Sequence, residues 1–236
     1  MESRTLYRVQ REDLEKVRSL LKACFMEDPL FTSLVQDRRS REYLSAELLE
    51  CDLTEFFETC EIYAESSEID SILVLSEESG YCRAMHNLLV ELRAQLRTGG
   101  DLTGKDLSLD VFWSFVQGRD YLNARWTDQL HQTRRMHILY LAVNPDRKGQ
   151  GIAARLMQEV TDYAQEQGIM LTLETYQASD VRACETYGFK IYGIVQKSEF
   201  LLKQYCMVRE PQNTAGVKQE QEKAGGRNAG ADQRDS

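Results

Sequence analysis

The sequence has no apolar run approaching the ~18 consecutive residues that would suggest a membrane-spanning helix, so no membrane segment is expected. Its start, Met1-Glu-Ser-Arg-Thr5, lacks the basic, then apolar, then small-residue order of a secretory signal, which points to a cytoplasmic protein. The six cysteines, at 24, 51, 60, 82, 184 and 206, include no Cys-x-x-Cys pair. Buried free thiols in a reducing compartment are therefore favoured over a disulfide framework. The three histidines have no metal-ligand spacing, so no metal is expected and His137, at the start of a strand, reads as structural. A basic excess is missing too. The net charge of −9 argues against non-specific nucleic-acid binding, while it tolerates a cationic acceptor such as an amine. There is no internal repeat.

What is present is the composition of a globular chain: 236 residues, 42% hydrophobic and 28% charged. Thr5 to Val9 reads as an opening strand, and Glu12 to Phe25 as an amphipathic helix with Leu14, Val17, Leu20, Leu21 and Cys24 at helical spacing. Asp28-Pro29 should end that helix. A short helix over 30–35 and an apolar stripe from Tyr43 to Cys60 come next. Glu61 to Glu65 and Ile69 to Leu75 read as an antiparallel hairpin. From 80 to 132 the pattern is helical, broken by glycines at 99, 100 and 104, and this insert is placed to wall a pocket. Lys190 to Val195 and Phe200 to Arg209 form a second hairpin. Beyond Pro211 a polar, glycine-containing tail is expected to be disordered.

The stretch from His137 to Phe189 organises the rest. An apolar strand, His137 to Val143, leads into Asn144-Pro-Asp-Arg-Lys148, glycines at 149 and 151, and an amphipathic helix; a second apolar strand, Ile169 to Glu174, comes after it. A glycine-rich turn between strand and helix presents backbone N–H groups at the positive end of the helix dipole, and an anion binds there. A side chain at 149 or 151 would hold a diphosphate away, and Arg147 and Lys148 add positive charge. Gly149-x-Gly151-x-x-Ala154, with Glu174 ending the next strand, also fits the loose dinucleotide-binding fingerprint. Spacing argues against it. Residues Asn144 to Lys148 intervene before the first glycine, and no further strand-helix-strand unit succeeds Glu174.

Val143-Asn-Pro-Asp-Arg-Lys148-Gly-Gln-Gly151-Ile-Ala153 resembles the acetyl-CoA motif Arg/Gln-x-x-Gly-x-Gly/Ala of the GCN5-related N-acetyltransferases (GNAT), with lysine for the usual arginine or glutamine. Leu173-Glu-Thr175 and Cys184-Glu-x-x-Gly188-Phe189 are similar to the end of the puromycin N-acetyltransferase-like branch. The resemblance covers 137–195, with a weaker echo over Cys24 to Phe31. It implies an α/β fold: a mixed, mostly antiparallel seven-stranded sheet flanked by helices, its parallel fourth and fifth strands splayed at their C-terminal ends. Residues 1–210 would form one domain, 80–132 an insert in it, and 211–236 the tail.

By the same resemblance, acetyl-CoA is the cosubstrate and no metal is needed. Its pantetheine arm would bond the free backbone of Leu141, Ala142 and Val143. Its pyrophosphate would sit on Lys148, Gly149, Gln150, Gly151, Ile152 and Ala153. An acceptor amine must be neutral to attack, and the departing thiolate must gain a proton. Glu174 is placed to act as general base; it equally fits a carboxylate that caps the following turn or pairs with an arginine. The family's tyrosine proton donor is replaced by Cys184, which leaves three readings: a weaker thiol acid, transfer of the role to Tyr187 or Tyr176, or simple packing. Asp180 stands where the family often has asparagine, so it loses a donor toward the cofactor and adds negative charge. Phe25, Asp28 and Phe31 border the acceptor in such a fold, and Tyr63 and Trp126 are further lining residues; core packing competes for each. The expected function is N-acetylation of a small-molecule primary amine by direct attack. Peptide or protein N-acetylation is the alternative, as is a CoA-binding module with weak turnover. No nucleic-acid or membrane partner is expected, and a homodimer is compatible with the sequence.

Overall fold

The computed structural model describes residues 5–25, 56–77, 124–132, 134–196 and 202–212, with single positions 1, 3, 32, 33, 38, 39, 42 and 53. Seven strands form one sheet in the order β1-β2-β3-β4-β5-β7-β6. They are β1 (Tyr7–Arg8), β2 (Glu61–Ala64), β3 (Ser71–Ser76), β4 (Arg135–Val143), β5 (Met170–Thr175), β6 (Lys190–Val195) and β7 (Gln204–Arg209). Every neighbouring pair is antiparallel except β4 and β5, which run parallel. The expected opening strand shortens to two residues, and the last begins at Gln204. Of the expected helix over 30–35 only positions 32 and 33 are described, both helical; the expected helices over 80–123 and the tail beyond 212 lie outside the described residues.

β3 is buried along its whole length, which explains its unbroken apolar run: a central strand covered on both faces does not alternate. One face carries α2 (Ile152–Gln167), whose Ile152, Leu156, Met157, Val160 and Ala164 pack with Leu73, Leu75, Met136, Ile138, Leu171, Leu173 and Met207 into the main core. These helix positions recur at 3.6-residue spacing, so a single stripe faces the sheet. Gly168, at φ +64, ends α2 in the left-handed conformation and donates to the carbonyls of Ala164 and Gln165. The first helix, α1 (Leu14–Phe25), buries Val17, Leu20 and Leu21 and lies against β4. A third helix, α3 (Ala178–Thr186), comes after β5.

β4 contains one extra residue. Leu75 pairs with Ile138 and Val74 with Tyr140, which leaves Leu139 as a bulge. The bulge reverses the facing of the residues beyond it. Ile138 lies in the main core; past the slip Leu141 pairs with Leu73 and Val143 packs on that same core, whereas Tyr140 makes an edge-on ring contact with Phe56, 5.2 Å between centroids.

Candidate active site

The ladder between β4 and β5 runs from Arg135–Met170 to Ile138–Leu173 and stops there. β4 continues to Val143 paired with β3 alone, and β5 continues through Glu174 and Thr175 paired with β7 alone. The two parallel strands therefore part just after Ile138 and Leu173, at the bulge, where added twist bends β4. Leu141, on the stretch of β4 that β5 no longer flanks, is 37% exposed, while Ala142 is buried and Val143 partly so. The carbonyl of Val143 accepts the Cys24 thiol at 3.6 Å, which ties α1 to this edge.

β4 leads into a tight turn. Asn144 accepts the Asp146 amide on its side chain at 3.1 Å, Pro145–Arg147 form one 3-10 turn, and Gly149 and Gly151 take φ of +81 and +75. Glycine is required at both, because L side chains rarely adopt that conformation. The first helical bond of α2 is Arg155 N–H to the Gly151 carbonyl, 3.1 Å, so the amides of Ile152, Ala153 and Ala154 precede it with no helix carbonyl to reach. They point out of the positive end of a 16-residue helix. Lys148 to Gly151 are exposed around them. Arg147 is not simply spare charge: Nη1 donates to Asp70 at 2.6 Å and Nε to Gln150 at 2.9 Å. Asp70 also receives the Asn144 side-chain amide at 3.3 Å, and its carbonyl receives the Asn144 backbone N–H at 2.8 Å. Arg155 donates from Nε to Glu65 at 2.6 Å and from Nη1 to the Gln150 carbonyl at 3.1 Å. The loop between β2 and β3 thus braces the turn from outside.

Glu174 lies one residue past the last β4–β5 pair, with a side chain 14% exposed. One carboxylate oxygen accepts the Trp126 indole N–H, and the other lies 3.0 Å from His137 Nε2. The His137 ring is buried, and its Nδ1 lies 2.8 Å from the Thr172 hydroxyl. Trp126 belongs to the 3-10 turn Ala124–Gln129, held by Arg135, which donates to the Thr127 carbonyl at 2.8 Å, and it stacks on Tyr192 of β6 at 5.5 Å. Opposite Glu174 on β7 sits Cys206. Burial pushes its thiol up to about 11, opposed by a hydrogen bond from Gln204 and reinforced by the negative charge of Glu174.

Cys184 sits on α3, partly buried against the main core beside Tyr187. Burial, and then the Asp180 carboxylate, push its thiol up to about 11. An ordinary cysteine thiol lies near 9.0, so this group gives a proton uphill to a departing thiolate. Asp180 stands in the first turn of α3, where its carboxylate accepts the Thr175 hydroxyl at 3.1 Å and the Ser179 hydroxyl at 3.2 Å. Of the acceptor residues, Asp28 and Phe31 lie outside the described residues, and only the backbone of Phe25, the last residue of α1, is described. Tyr63 is in the main core, 1% exposed, where burial raises its phenol; it packs there and does not line a mouth. The partners of Glu174 escaped sequence reasoning. The available signal was polar: His137 and Thr172 interrupt two otherwise apolar strands.

Parallel strands that part beside a glycine turn at a helix N-terminus, within a mostly antiparallel seven-stranded sheet, define the GNAT acetyltransferase fold. Residues 115–189 match the model of the acetyltransferase (GNAT) family. The structure is similar to a protein from Corynebacterium glutamicum described as histone acetyltransferase HPA2 and related acetyltransferase: 14% identity, TM-score 0.59, covering 88% of this chain and 96% of that one. It is also similar to mosquito arylalkylamine N-acetyltransferase like 5b, with 14% identity, TM-score 0.57 and coverage of 87% and 98%. Arylalkylamine N-acetyltransferase 2 from Aedes aegypti gives 14% identity, TM-score 0.57 and coverage of 88% and 98%. At these identities the likeness is one of fold. No curated protein matches the sequence.

Proposed function

We propose that this chain transfers the acetyl group of acetyl-CoA to a primary amine of a small molecule by direct attack. The observation that carries the reading is the gap between β4 and β5, placed at the end of the strand that feeds the Gly149–Gly151 turn. An extended arm can add to the free edge of β4 as another strand would, and a diphosphate can take the amides at the start of α2. A cofactor of that shape, a linear arm ending in a diphosphate, fits both at once. Acetyl-CoA supplies the activated thioester; the chain binds it, holds the acceptor and moves two protons. Glu174, near the parting of the strands, is the group placed to take the ammonium proton, since a carboxylate that accepts from Trp126 and lies beside His137 still has lone pairs to offer. The Leu173-Glu-Thr175 and Gly188-Phe189 segments support placement near the puromycin N-acetyltransferase-like branch.

One observation favours a second reading, a CoA-binding module with weak turnover: the usual proton-donor position holds Cys184, a thiol partly buried against the core, and burial and the Asp180 carboxylate both raise it. Release of CoA from acetyl-CoA over a panel of primary amines, beside a calorimetric titration of acetyl-CoA, separates the two. Turnover with at least one amine is expected. Tight binding with no turnover on any amine would leave the second reading standing.

A further inference from the structure

We propose that His137 is the positioning residue of Glu174 and that Thr172 fixes its ring, so that the carboxylate meets the acceptor in one set orientation. This rests on the acetyltransferase reading above and assigns a task to a buried histidine which that reading leaves idle.

The geometry comes from the sheet register. His137 and Thr172 are partners in the last parallel stretch of β4 and β5, so their side chains share a face. Glu174, two residues beyond Thr172, returns to that face. Nε2 of His137 lies 3.0 Å from one Glu174 oxygen, and Nδ1 lies 2.8 Å from the Thr172 hydroxyl. Nε2 is the ring nitrogen that faces the Glu174 carboxylate, and Nδ1 shares a hydrogen bond with the Thr172 hydroxyl. Rotating the ring would give up the Thr172 hydrogen bond and the close approach to Glu174 at a site 2% exposed, where an unmet polar group is costly. Trp126 grips the second oxygen. The carboxylate is thus flanked by the Trp126 donor and the His137 ring, and lone pairs on the side away from them remain for the acceptor. The charged and titratable groups facing this cluster are few among the described residues. Cys206 lies across from Glu174 on β7, and Arg135 on β4 is turned to the carbonyls of Thr127 and Leu130 and to Asp128. On α1, Cys24 is directed to the Val143 carbonyl.

The test compares variants that differ in the donor alone. His137→Leu keeps the volume and removes both ring nitrogens; His137→Gln returns an amide donor near the place of Nε2; Thr172→Val is isosteric and removes only the ring's support. Each is assayed by CoA release with the best amine of the panel, with acetyl-CoA KM and thermal midpoint measured alongside. His137→Leu should lower kcat by roughly ten- to thousandfold with acetyl-CoA KM within about twofold, because the cradle is built elsewhere. His137→Gln should recover at least about a third of the lost transition-state stabilisation, and Thr172→Val should lower kcat by about two- to tenfold. A purely structural histidine would shift the thermal midpoint, with kcat equal in the Leu and Gln variants, and that result overturns the proposal. If His137→Leu does not fold, Gln and Val variants both at wild-type kcat overturn it equally. No turnover by the wild-type chain would sink the acetyltransferase reading itself; wild-type turnover that survives these variants sinks this inference alone.

Discussion

The cradle at 144–155 and the flank around Glu174 sit on the same strand pair and are held together in opposite ways. The cradle is exposed, and its braces are ion pairs of Arg147 and Arg155 with Asp70 and Glu65 on the surface. Such pairs are worth ~0–1 kcal/mol each. Its working parts are backbone amides and two left-handed glycines, fixed by local chain geometry. The flank is the reverse: Trp126, His137, Thr172 and Glu174 are largely buried, and side-chain hydrogen bonds from three elements fix it. Removing one partner from such a network leaves the others unmet, at ~1–3 kcal/mol apiece. Cofactor binding should therefore tolerate damage to its braces, and turnover should not tolerate damage to its network.

The largest effect tests that contrast directly. Glu174→Gln is expected to lower kcat by about 10²- to 10⁴-fold while acetyl-CoA affinity stays within about twofold; steady-state kinetics and calorimetry read the two, and equal losses in both would erase the distinction. Gly151→Glu should do the opposite by placing a negative, strained residue at φ +75 among the amides. A loss of acetyl-CoA affinity of roughly hundredfold or more is expected by calorimetry. Retained affinity would remove the cradle from the mechanism. Next, labelling of Cys184 by iodoacetamide, with peptide mass mapping, should report a thiol raised from 9.0 to about 11. The raised group stays protonated as pH climbs through 9, so at pH 9 its thiolate fraction is on the order of one in a hundred rather than one half. The labelling rate should keep rising toward pH 11, and a plateau near pH 9 would contradict the burial described. Cys184→Ala should accordingly change kcat by less than about threefold, since so weak an acid contributes little proton transfer. Smallest of all, Asp70→Ala should weaken acetyl-CoA binding by no more than about fivefold, because it removes surface braces and leaves the glycine turn.

The cradle was also the part most legible in the sequence. Strand, turn, glycines and helix lie within one continuous stretch, and each is dictated by local rules: alternation or apolar run, proline and asparagine in the turn, 3.6-residue spacing. The flank was legible only in Glu174. Its partners come from β4, β5 and the turn at 124–129, and which side chains meet depends on a parallel register that no local pattern specifies. His137 read as structural because a lone histidine in a strand has no visible partner until Thr172 is set beside it. The braces were invisible for the same reason, with Arg147 and Asp70 separated by 77 positions and Arg155 and Glu65 by 90. Tyr63, considered as an acceptor-lining residue, faces the main core, a placement decided by its pairing on β2 with Leu73 of β3.

The bulge at Leu139 has a meaning for sequence change that no side-chain substitution reproduces. Side chains in a strand alternate, so whether a residue looks to one face or the other is a matter of odd and even counting from the last fixed pair. The extra residue changes that parity between His137, which serves the Glu174 flank, and Leu141, which borders the gap. Deleting one residue there would barely alter composition and remove no named contact. It would nonetheless let Tyr140 follow Ile138 directly in the ladder with β3, so that Leu141 and Val143 keep their faces while the added twist that bends β4 away from β5 is lost. Between the flank and the cradle, the length of the strand is therefore under tighter constraint than the identity of the residues that fill it.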